Sequence, residues 1–394
     1  MTRRYYAAGT GWQPGVISAP PPENIATVRL THVSAEPGTG TPPPPVQQGI
    51  VFGYNPNAPE GDYFASSFGR TPIARCYRNN DALPADGSDF QPGGFAWNSA
   101  NKNLAGHVSG QRINMSVLFD PATVTNANSP KAVELRNYAA SVPAGWQVQV
   151  VLYHEYNLHT TDYGGNSATG RTSKQFTDAF PILADAIATG DAGRGRCTPV
   201  INPSWGNGAF NDVVVPNASL MPQGTQLHFD VYNNPSGNPP GYKGYGTGYR
   251  TADQIMKGLY AAAGRLGYLT PGYGWGIDEF GAPRRVAPRL AALNSTYGWG
   301  PSSPFDLDGS GMARAITDFA NWCINAPVKP TTVIFFTGEG VWNQSVKRAG
   351  TIYSNAACPG RDAPPGDPLH QGWPIDVDPS LPLAAYKHFI DISA

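Results

Sequence analysis

The strongest constraint on the fold is a series of eight short apolar runs, rich in β-branched and aromatic residues, each followed by polar or turn-forming residues. Most of the intervals between them are long enough to hold a crossover helix. Strands that alternate with helices indicate a parallel sheet covered on both faces. The runs are residues 50–55, 73–78, 113–119, 148–155, 199–203, 227–232, 276–280 and 332–337.

Helical spacing predicts helices in five of the gaps, at residues 129–140, 173–188, 251–266, 311–325 and 383–392. Ser173 and Thr251 stand where N-caps are expected. The gaps after the first, second and fifth runs are rich in Gly, Asn and Pro and show little helix. The pattern predicts an α/β domain over residues 49–394, a closed (β/α)8 TIM barrel with long Gly/Pro-rich loops. An open doubly wound sheet is the alternative, but neither of its Gly-rich nucleotide-binding motifs occurs where it would be needed.

Residues 1–48 differ in character from the rest of the chain. Proline runs at 20–22 and 42–45 flank one strand-like run at 26–33. Proline runs favour extended polyproline II structure, so we expect an extended Pro-rich N-terminal arm. It either wraps the main domain or attaches it to a larger assembly. The two arginines near the start precede no apolar run, so the sequence predicts no secretory signal.

The charge balance excludes some classes of partner. Lys and Arg number 27 against 28 Asp and Glu, for a net charge of -1, and no basic block occurs. Nucleic acid is therefore not an expected partner, because phosphate binding needs concentrated positive charge. No stretch approaches the roughly 18 apolar residues of a membrane span.

The four cysteines of the chain form no CxxC pair; they are Cys76, Cys197, Cys323 and Cys358. Cys323 and Cys358 either pair across a loop or are buried thiols like the others.

Two carboxylates stand where barrel enzymes place their catalytic groups, at the carboxyl ends of strands. The fourth run ends in His154-Glu155 and the seventh contains Asp278-Glu279. These strands lie on opposite sides of an eight-stranded ring, so Glu155 and Glu279 can face each other across its mouth. Glycoside hydrolysis needs such a pair, one to protonate the leaving oxygen and one to attack the sugar or activate water. Alternatively, both are ordinary strand-end carboxylates bonded to loops.

Successive strand residues point to opposite faces, so only one of Asp278 and Glu279 is expected to reach the mouth.

A zinc-protease motif is excluded because His154 and His159 are five residues apart rather than four. Residues 306–311 resemble the first half of a calcium loop with Asp306 and Asp308 as ligands, but the bidentate Glu is missing. That loop is expected to cap the following helix through Ser310, with calcium as the alternative.

The segments His154-Glu155 with Asn157, and Glu279-Phe280-Gly281, resemble the two catalytic segments of clan A glycoside hydrolases. These are retaining (β/α)8 enzymes, and the resemblance is closest to their β-mannanase-like and cellulase-like branches. It implies that Glu155 is the general acid/base and Glu279 the nucleophile, with no metal or organic cofactor. The further site residues that it implies are Arg75, His154, Asn157, Tyr232 and Trp342.

Trp205, which follows the fifth run, is a further candidate for substrate binding because a Trp face stacks on the apolar face of a sugar. The sequence thus predicts a retaining glycoside hydrolase that cleaves a polysaccharide, such as a cell-wall glycan, by double displacement. The alternative is a non-catalytic structural or glycan-binding protein that keeps the barrel.

The Gly/Pro/aromatic composition, the Pro-rich arm and the missing signal also predict a setting. We expect a bacteriophage minor tail protein in the virion, with residues 1–48 contacting other tail proteins. An extracellular protein without a signal peptide and a cytoplasmic enzyme are the alternatives.

Overall fold

The computed structural model describes part of the chain. The described residues are 49–55, 71–78, 82–91, 96–97, 102–103, 108–162, 170–205, 215–233, 250–282, 284–285, 310–336, 371–372 and 381–392. The predictions for the N-terminal arm, Trp342, Cys358 and the calcium-like loop at Asp306 and Asp308 lie outside these residues.

Eight parallel strands form a closed barrel. Each of the eight predicted runs supplies one strand, so the predicted TIM barrel is confirmed. The strands are β1 Val51–Asn55, β2 Thr71–Arg78, β3 Val108–Val117, β4 Gln147–Leu152, β5 Cys197–Ile201, β6 Gln226–Tyr232, β7 Gly274–Gly281 and β8 Thr332–Phe336. Around the ring they follow the order β1-β8-β7-β6-β5-β4-β3-β2.

Helices follow β3, β4, β6, β7 and β8, as the spacing predicts. The described parts of the connections after β2 and β5 contain short 3-10 turns, Ser88–Phe90 and Ala218–Leu220. None of the described helices has both the length and the apolar character that a membrane crossing requires. The helices are α1 Pro130–Ser141, α2 Ser173–Asp191, α3 Ala252–Arg265, α4 Ser310–Asn325 and α5 Leu381–Asp391.

The N-cap of α2 is Thr172 rather than the predicted Ser173. The Thr172 hydroxyl accepts the backbone N–H of Gln175, whose side chain accepts the N–H of Thr172 in return, which forms a capping box. Ser173 donates its hydroxyl to Asp162 instead. Thr251 caps α3 as predicted, whereas Ser310 is the first residue of α4 and not its predicted cap.

Strand alternation divides the core into two regions. Leu227, Phe229 and Val231 of β6 point outward and are buried with the helices in the main apolar cluster. A separate small cluster of Val51, Ile73 and Ile334 and a network of polar side chains lie within the ring. The barrel interior is therefore largely polar, which is unusual because TIM barrels are mostly filled with branched apolar residues.

Three cysteines, Cys76, Cys197 and Cys323, are buried free thiols. This finding favours the buried-thiol alternative for Cys323. Burial raises the pKa of Cys76 and of Cys197 to about 12. These thiols are therefore not activated nucleophiles, because reactivity requires the thiolate.

Gly190 of α2 lies where that helix crosses α1, and a Cβ there would be 2.1 Å from the carbonyl oxygen of Arg136. Gly190→Ala should therefore lower the unfolding free energy by about 1–3 kcal/mol through overpacking. Gly264 of α3 is the matched control, because its added Cβ would be 3.4 Å from Leu269. Gly264→Ala should raise stability by up to about 1 kcal/mol through helix propensity. Denaturant unfolding measures both, and equal effects would contradict the close crossing.

Candidate active site

The end of β4 departs from the predicted strand. β4 stops at Leu152, whereas the sequence pattern extends it to Glu155. Tyr153 and Glu155 have left-handed backbone, with φ of 65° and 47°, which is uncommon for residues with a Cβ. This conformation breaks the alternation of the strand, so the consecutive side chains of His154 and Glu155 turn to the same site. Nε2 of His154 lies 3.7 Å from a carboxylate oxygen of Glu155.

β7 contains a bulge at Asp278. Its register with β6 passes from Phe229↔Ile277 to Asp230↔Glu279, which inserts one extra residue in β7, and the register with β8 shifts at the same place. A bulge cancels the alternation of the strand locally. Both side chains therefore turn inward and contact Arg75: Asp278 lies in the deeper network, and Glu279 remains the one expected at the mouth.

Arg75 of β2 lies at the centre of the site and is fully buried. Burial alone would lower its pKa, but Tyr77 and the three carboxylates around it raise the pKa well above the usual value. Arg75 thus supplies a permanent positive charge beneath the barrel mouth. Its guanidinium nitrogens lie 2.9 Å from Asp278, 3.3 Å from Glu279 and 3.8 Å from Asp230.

Glu279 is 2% exposed and is held from three directions. The hydroxyl of Tyr77 donates to one carboxylate oxygen and the hydroxyl of Tyr232 to the other. Burial and the charge of Glu279 raise the pKa of both tyrosines well above the usual value, so both hydroxyls keep their protons. Together with Arg75, these donors suit an ionised carboxylate in a fixed orientation.

His154 connects the two glutamates. Its Nε2 is 3.9 Å from Glu279 as well as 3.7 Å from Glu155. Nδ1 lies 2.7 Å from an Arg75 nitrogen and 3.1 Å from Asp230, so it accepts from Arg75 in the neutral ring and donates to Asp230 in the imidazolium. Burial alone would lower the pKa of His154, but Glu279 and Asp230 raise it to about 9. Burial and Glu279 raise the pKa of Asp230.

Asp278 anchors Arg75 from the deeper side of the network. One carboxylate oxygen accepts from His228 at 2.6 Å and from Asn114 at 2.7 Å. Burial alone would raise the pKa of Asp278, but His228 and Arg75 lower it below the usual value. Gly276 makes room for the imidazole, because a Cβ there would be 2.7 Å from its Nε2. Asp278 therefore contributes a lasting negative charge that balances Arg75.

His154, Asp230 and Glu279 also bring one possible metal-ligand atom each within 4.8 Å of one another. Arg75 makes ion-pair contacts with both of these carboxylates. The positive charge that they balance is thus a guanidinium, whose repulsion would oppose a cation in the same space. We interpret the cluster as an ion-pair network.

The predicted site residues fall into two groups. The structure brings Glu155, Glu279, Arg75, His154 and Tyr232 together at the carboxyl ends of the strands.

Asn157 and Trp205 do not join them. The Asn157 amide exchanges two hydrogen bonds with the backbone of Ser204, which leaves its polar atoms engaged within the protein. Trp205 packs edge-on against Phe229, whose side chain faces outward, and lies beside Gly258 of α3. The contacts described for these two residues thus involve neither glutamate, and their role in sugar binding stays a prediction; Trp342 is outside the described residues.

Three residues of the site were not assigned from the sequence, although strand geometry carried a signal for each. Tyr77 lies two residues after Arg75, and Asp230 two before Tyr232, so the period of two places each pair on one face. Asn202 directly follows the last residue of β5, the end of the barrel at which functional side chains collect.

Comparison with known proteins gives similarity to solved structures alone. No protein-family model and no curated protein matches the chain. The Bacillus subtilis mannanase man26 is 14% identical, with 80% of this chain and 88% of that chain covered and a TM-score of 0.37. A GH5-4 broad-specificity endoglucanase from an uncultured bacterium is 13% identical, with coverages of 74% and 87% and a TM-score of 0.42. GH5_18 from Streptomyces cattleya is 15% identical, with coverages of 74% and 71% and a TM-score of 0.46.

The His154 environment predicts a pH-dependent stability. A folded-state pKa raised from 6.5 to about 9 means that the folded protein binds this proton more tightly than the unfolded chain. The stabilisation is fully present below pH 6.5 and is lost as the pH rises through about 9. His154→Gln should remove this dependence, which is worth up to roughly 3 kcal/mol.

Denaturant unfolding at pH 6.5 and at pH 9 tests this expectation. His388→Gln, which removes an exposed imidazole on α5, serves as the control and should keep the wild-type dependence. An unchanged dependence in His154→Gln would contradict the proposed charge on this ring.

Proposed function

We propose that the protein is a retaining glycoside hydrolase that cleaves a polysaccharide with Glu279 as nucleophile and Glu155 as general acid/base. The observation that carries the proposal is one contact pattern. Two carboxylates, Glu155 just after β4 and Glu279 in β7, both lie within 4 Å of the same His154 nitrogen. Their environments differ, since Glu279 is buried among three donors whereas the Glu155 side chain is 18% exposed. Acid and nucleophile need such unequal surroundings.

The spacing of the two carboxylates is compatible with this chemistry. Because both contact one nitrogen, their nearest oxygens are no farther apart than the sum of the two distances, 3.7 Å and 3.9 Å. That limit admits the retaining separation of about 5–5.5 Å and the lower part of the inverting range of about 6.5–9.5 Å. The fixed, doubly hydrogen-bonded Glu279 favours retention, because a nucleophile must be aimed at the anomeric carbon.

The reaction would proceed in two displacements. A carboxylate oxygen of Glu279 attacks the anomeric carbon, and the bond to the leaving oxygen breaks as Glu155 transfers its proton to that oxygen. Glu155 then takes a proton from water, whose oxygen attacks the anomeric carbon and releases Glu279. Arg75, Tyr77 and Tyr232 hold the nucleophile before the first step and receive it after the second.

His154 suits both halves of this cycle. During the first step, negative charge leaves Glu279, which becomes an ester, and accumulates on Glu155, which loses its proton. Nε2 of His154 lies 3.9 Å from the first carboxylate and 3.7 Å from the second. An imidazolium there faces one anionic carboxylate in each state, so little charge reorganisation is required.

The setting of the activity is proposed from the sequence. Composition and the Pro-rich segment support a minor tail protein of a phage virion that acts on cell-wall glycan, with residues 1–48 as the attachment arm. A barrel that binds glycan without cleaving it is the competing function, and the following experiments separate the two.

Replacing each glutamate should abolish turnover. Glu155→Gln should lower hydrolysis of a polysaccharide by roughly 10²–10⁴-fold, as expected for the loss of a general acid, and Glu279→Gln by at least as much. Glu134→Gln on α1 is the control and should retain wild-type activity, because Gln keeps an oxygen to accept the Leu83 N–H. Reducing-sugar release from mannan, cellulose and bacterial cell-wall glycans gives the measurement. Equal turnover by all variants would remove the catalytic assignment.

A 2-fluoro glycosyl fluoride should trap the intermediate on Glu279. Fluorine at carbon 2 slows both displacements and the fluoride leaving group restores the first, so the ester accumulates. Mass spectrometry of proteolytic peptides should locate the sugar on Glu279. Proton NMR of the products formed with unmodified substrate should show the retained anomer first, and an inverted product would exclude the nucleophile role.

A further inference from the structure

Asn202 occupies a position that neither the sequence prediction nor the proposed mechanism uses. It follows the last residue of β5 and its side chain is completely buried. β5 lies between β4 and β6 in the ring, so Asn202 stands between the strand that carries Glu155 and the strand that carries Asp230. A buried amide must satisfy its hydrogen-bonding groups within the protein, and its partners therefore show what it holds.

The orientation of the Asn202 amide is determined by its partners. Its nitrogen donates to a carboxylate oxygen of Asp230 at 2.9 Å, an atom that can only accept when ionised. Its oxygen faces a guanidinium nitrogen of Arg75 at 3.2 Å and the backbone nitrogen of Glu155 at 3.4 Å, both of which are donors. The same oxygen lies 3.2 Å from Nδ1 of His154, which donates when the ring is an imidazolium. Reversing the amide would set donor against donor, so this assignment follows from chemistry.

The bond to Glu155 falls on a strained residue. Glu155 has φ of 47°, and a residue with a side chain persists in this strained region only where its surroundings hold it there. Leu158 donates its N–H to the carbonyl oxygen of Glu155, which holds one end of this residue. Asn202 accepts the N–H at the other end, and the same oxygen binds Arg75, which pairs with Glu279.

We propose that Asn202 is a positioning residue that holds the Glu155 backbone in its left-handed conformation and so aims the acid at the leaving oxygen. This inference rests on the proposed function. One amide oxygen thereby couples the placement of the acid to the guanidinium that orients the nucleophile. Without it, Glu155 should relax toward ordinary backbone angles and proton donation should become inefficient, while Glu279 keeps its two tyrosine donors.

Asn114 provides a matched control. It is also completely buried, accepts from Arg75 at 3.2 Å, and donates to a carboxylate, that of Asp278. It reaches Arg75 through the other terminal nitrogen, and its partners are on β2, β4 and β7 rather than at the Glu155 backbone. A defect common to both Asn→Ala variants is therefore a loss of Arg75 packing. A defect peculiar to Asn202→Ala concerns the Glu155 backbone or the neighbouring His154 and Asp230, and hydrogen exchange at the Glu155 amide separates the two.

Leaving-group dependence is the measurement that separates these effects. Two aryl glycosides of one sugar are compared, with 2,4-dinitrophenol and with unsubstituted phenol as leaving groups. Dinitrophenolate departs without protonation, whereas phenol requires the general acid. Asn202→Ala should lower kcat/KM for the phenyl glycoside by about 10²-fold and for the dinitrophenyl glycoside by less than about tenfold. Asn114→Ala should affect both substrates equally, and an equal loss in Asn202→Ala would overturn the proposal.

Asn202→Leu, which preserves the side-chain volume without an acceptor, should show the same selective loss and excludes a simple cavity effect. Hydrogen exchange at the Glu155 amide gives a readout independent of activity. It should be faster in Asn202→Leu than in wild type and in Asn114→Ala, and unchanged protection would contradict the inference. If wild type cleaves neither glycoside, the proposed function fails, and the exchange result still decides whether Asn202 holds this backbone.

Discussion

The buried charge of Arg75 is the constraint on which the barrel interior depends. A guanidinium removed from water is tolerated only when anionic and hydrogen-bonding partners surround it. Arg75 meets this requirement with carboxylates from β6 and β7 and with amides from β3 and β5. The inside of the ring is consequently an electrostatic network rather than a packed apolar core. The network converges on Glu279, the carboxylate that closes it toward the mouth.

Two backbone irregularities allow this network to form. An ideal strand directs one of every two neighbours away from the interior, yet both His154 and Glu155, and both Asp278 and Glu279, contact the site. The left-handed residues after β4 and the bulge in β7 each reverse one side chain. Such departures cost energy and persist where neighbouring contacts hold them. At β4 the amide of Asn202 is one of those contacts, which links backbone strain to the placement of the acid.

Some charges of the site are permanent, whereas those on the two glutamates would change during the proposed reaction. Arg75 and Asp278 remain ionised, because each raises the free-energy cost of neutralising the other. The charge on Glu155 and Glu279 would instead be exchanged in each catalytic step, under the same imidazolium. The fixed ion pair of Arg75 and Asp278, deep in the barrel, can thus hold the mouth in one geometry while Glu155 and Glu279 change between their charged and neutral forms.

Local pattern in the sequence determined the eight strands of the barrel and the positions of the five helices in the described part of the chain, because apolar periodicity and turn residues act over a few neighbouring residues. It also placed Glu155 and Glu279 near the carboxyl ends of opposite strands. Tertiary structure decided which other side chains join them. The bulge that turns Asp278 inward leaves no trace in an alternating pattern, and Asn202 gains its partners from strands far away in the chain. Trp205, predicted to bind the sugar, also has its contacts with Phe229 of β6 and Gly258 of α3 set by the tertiary structure.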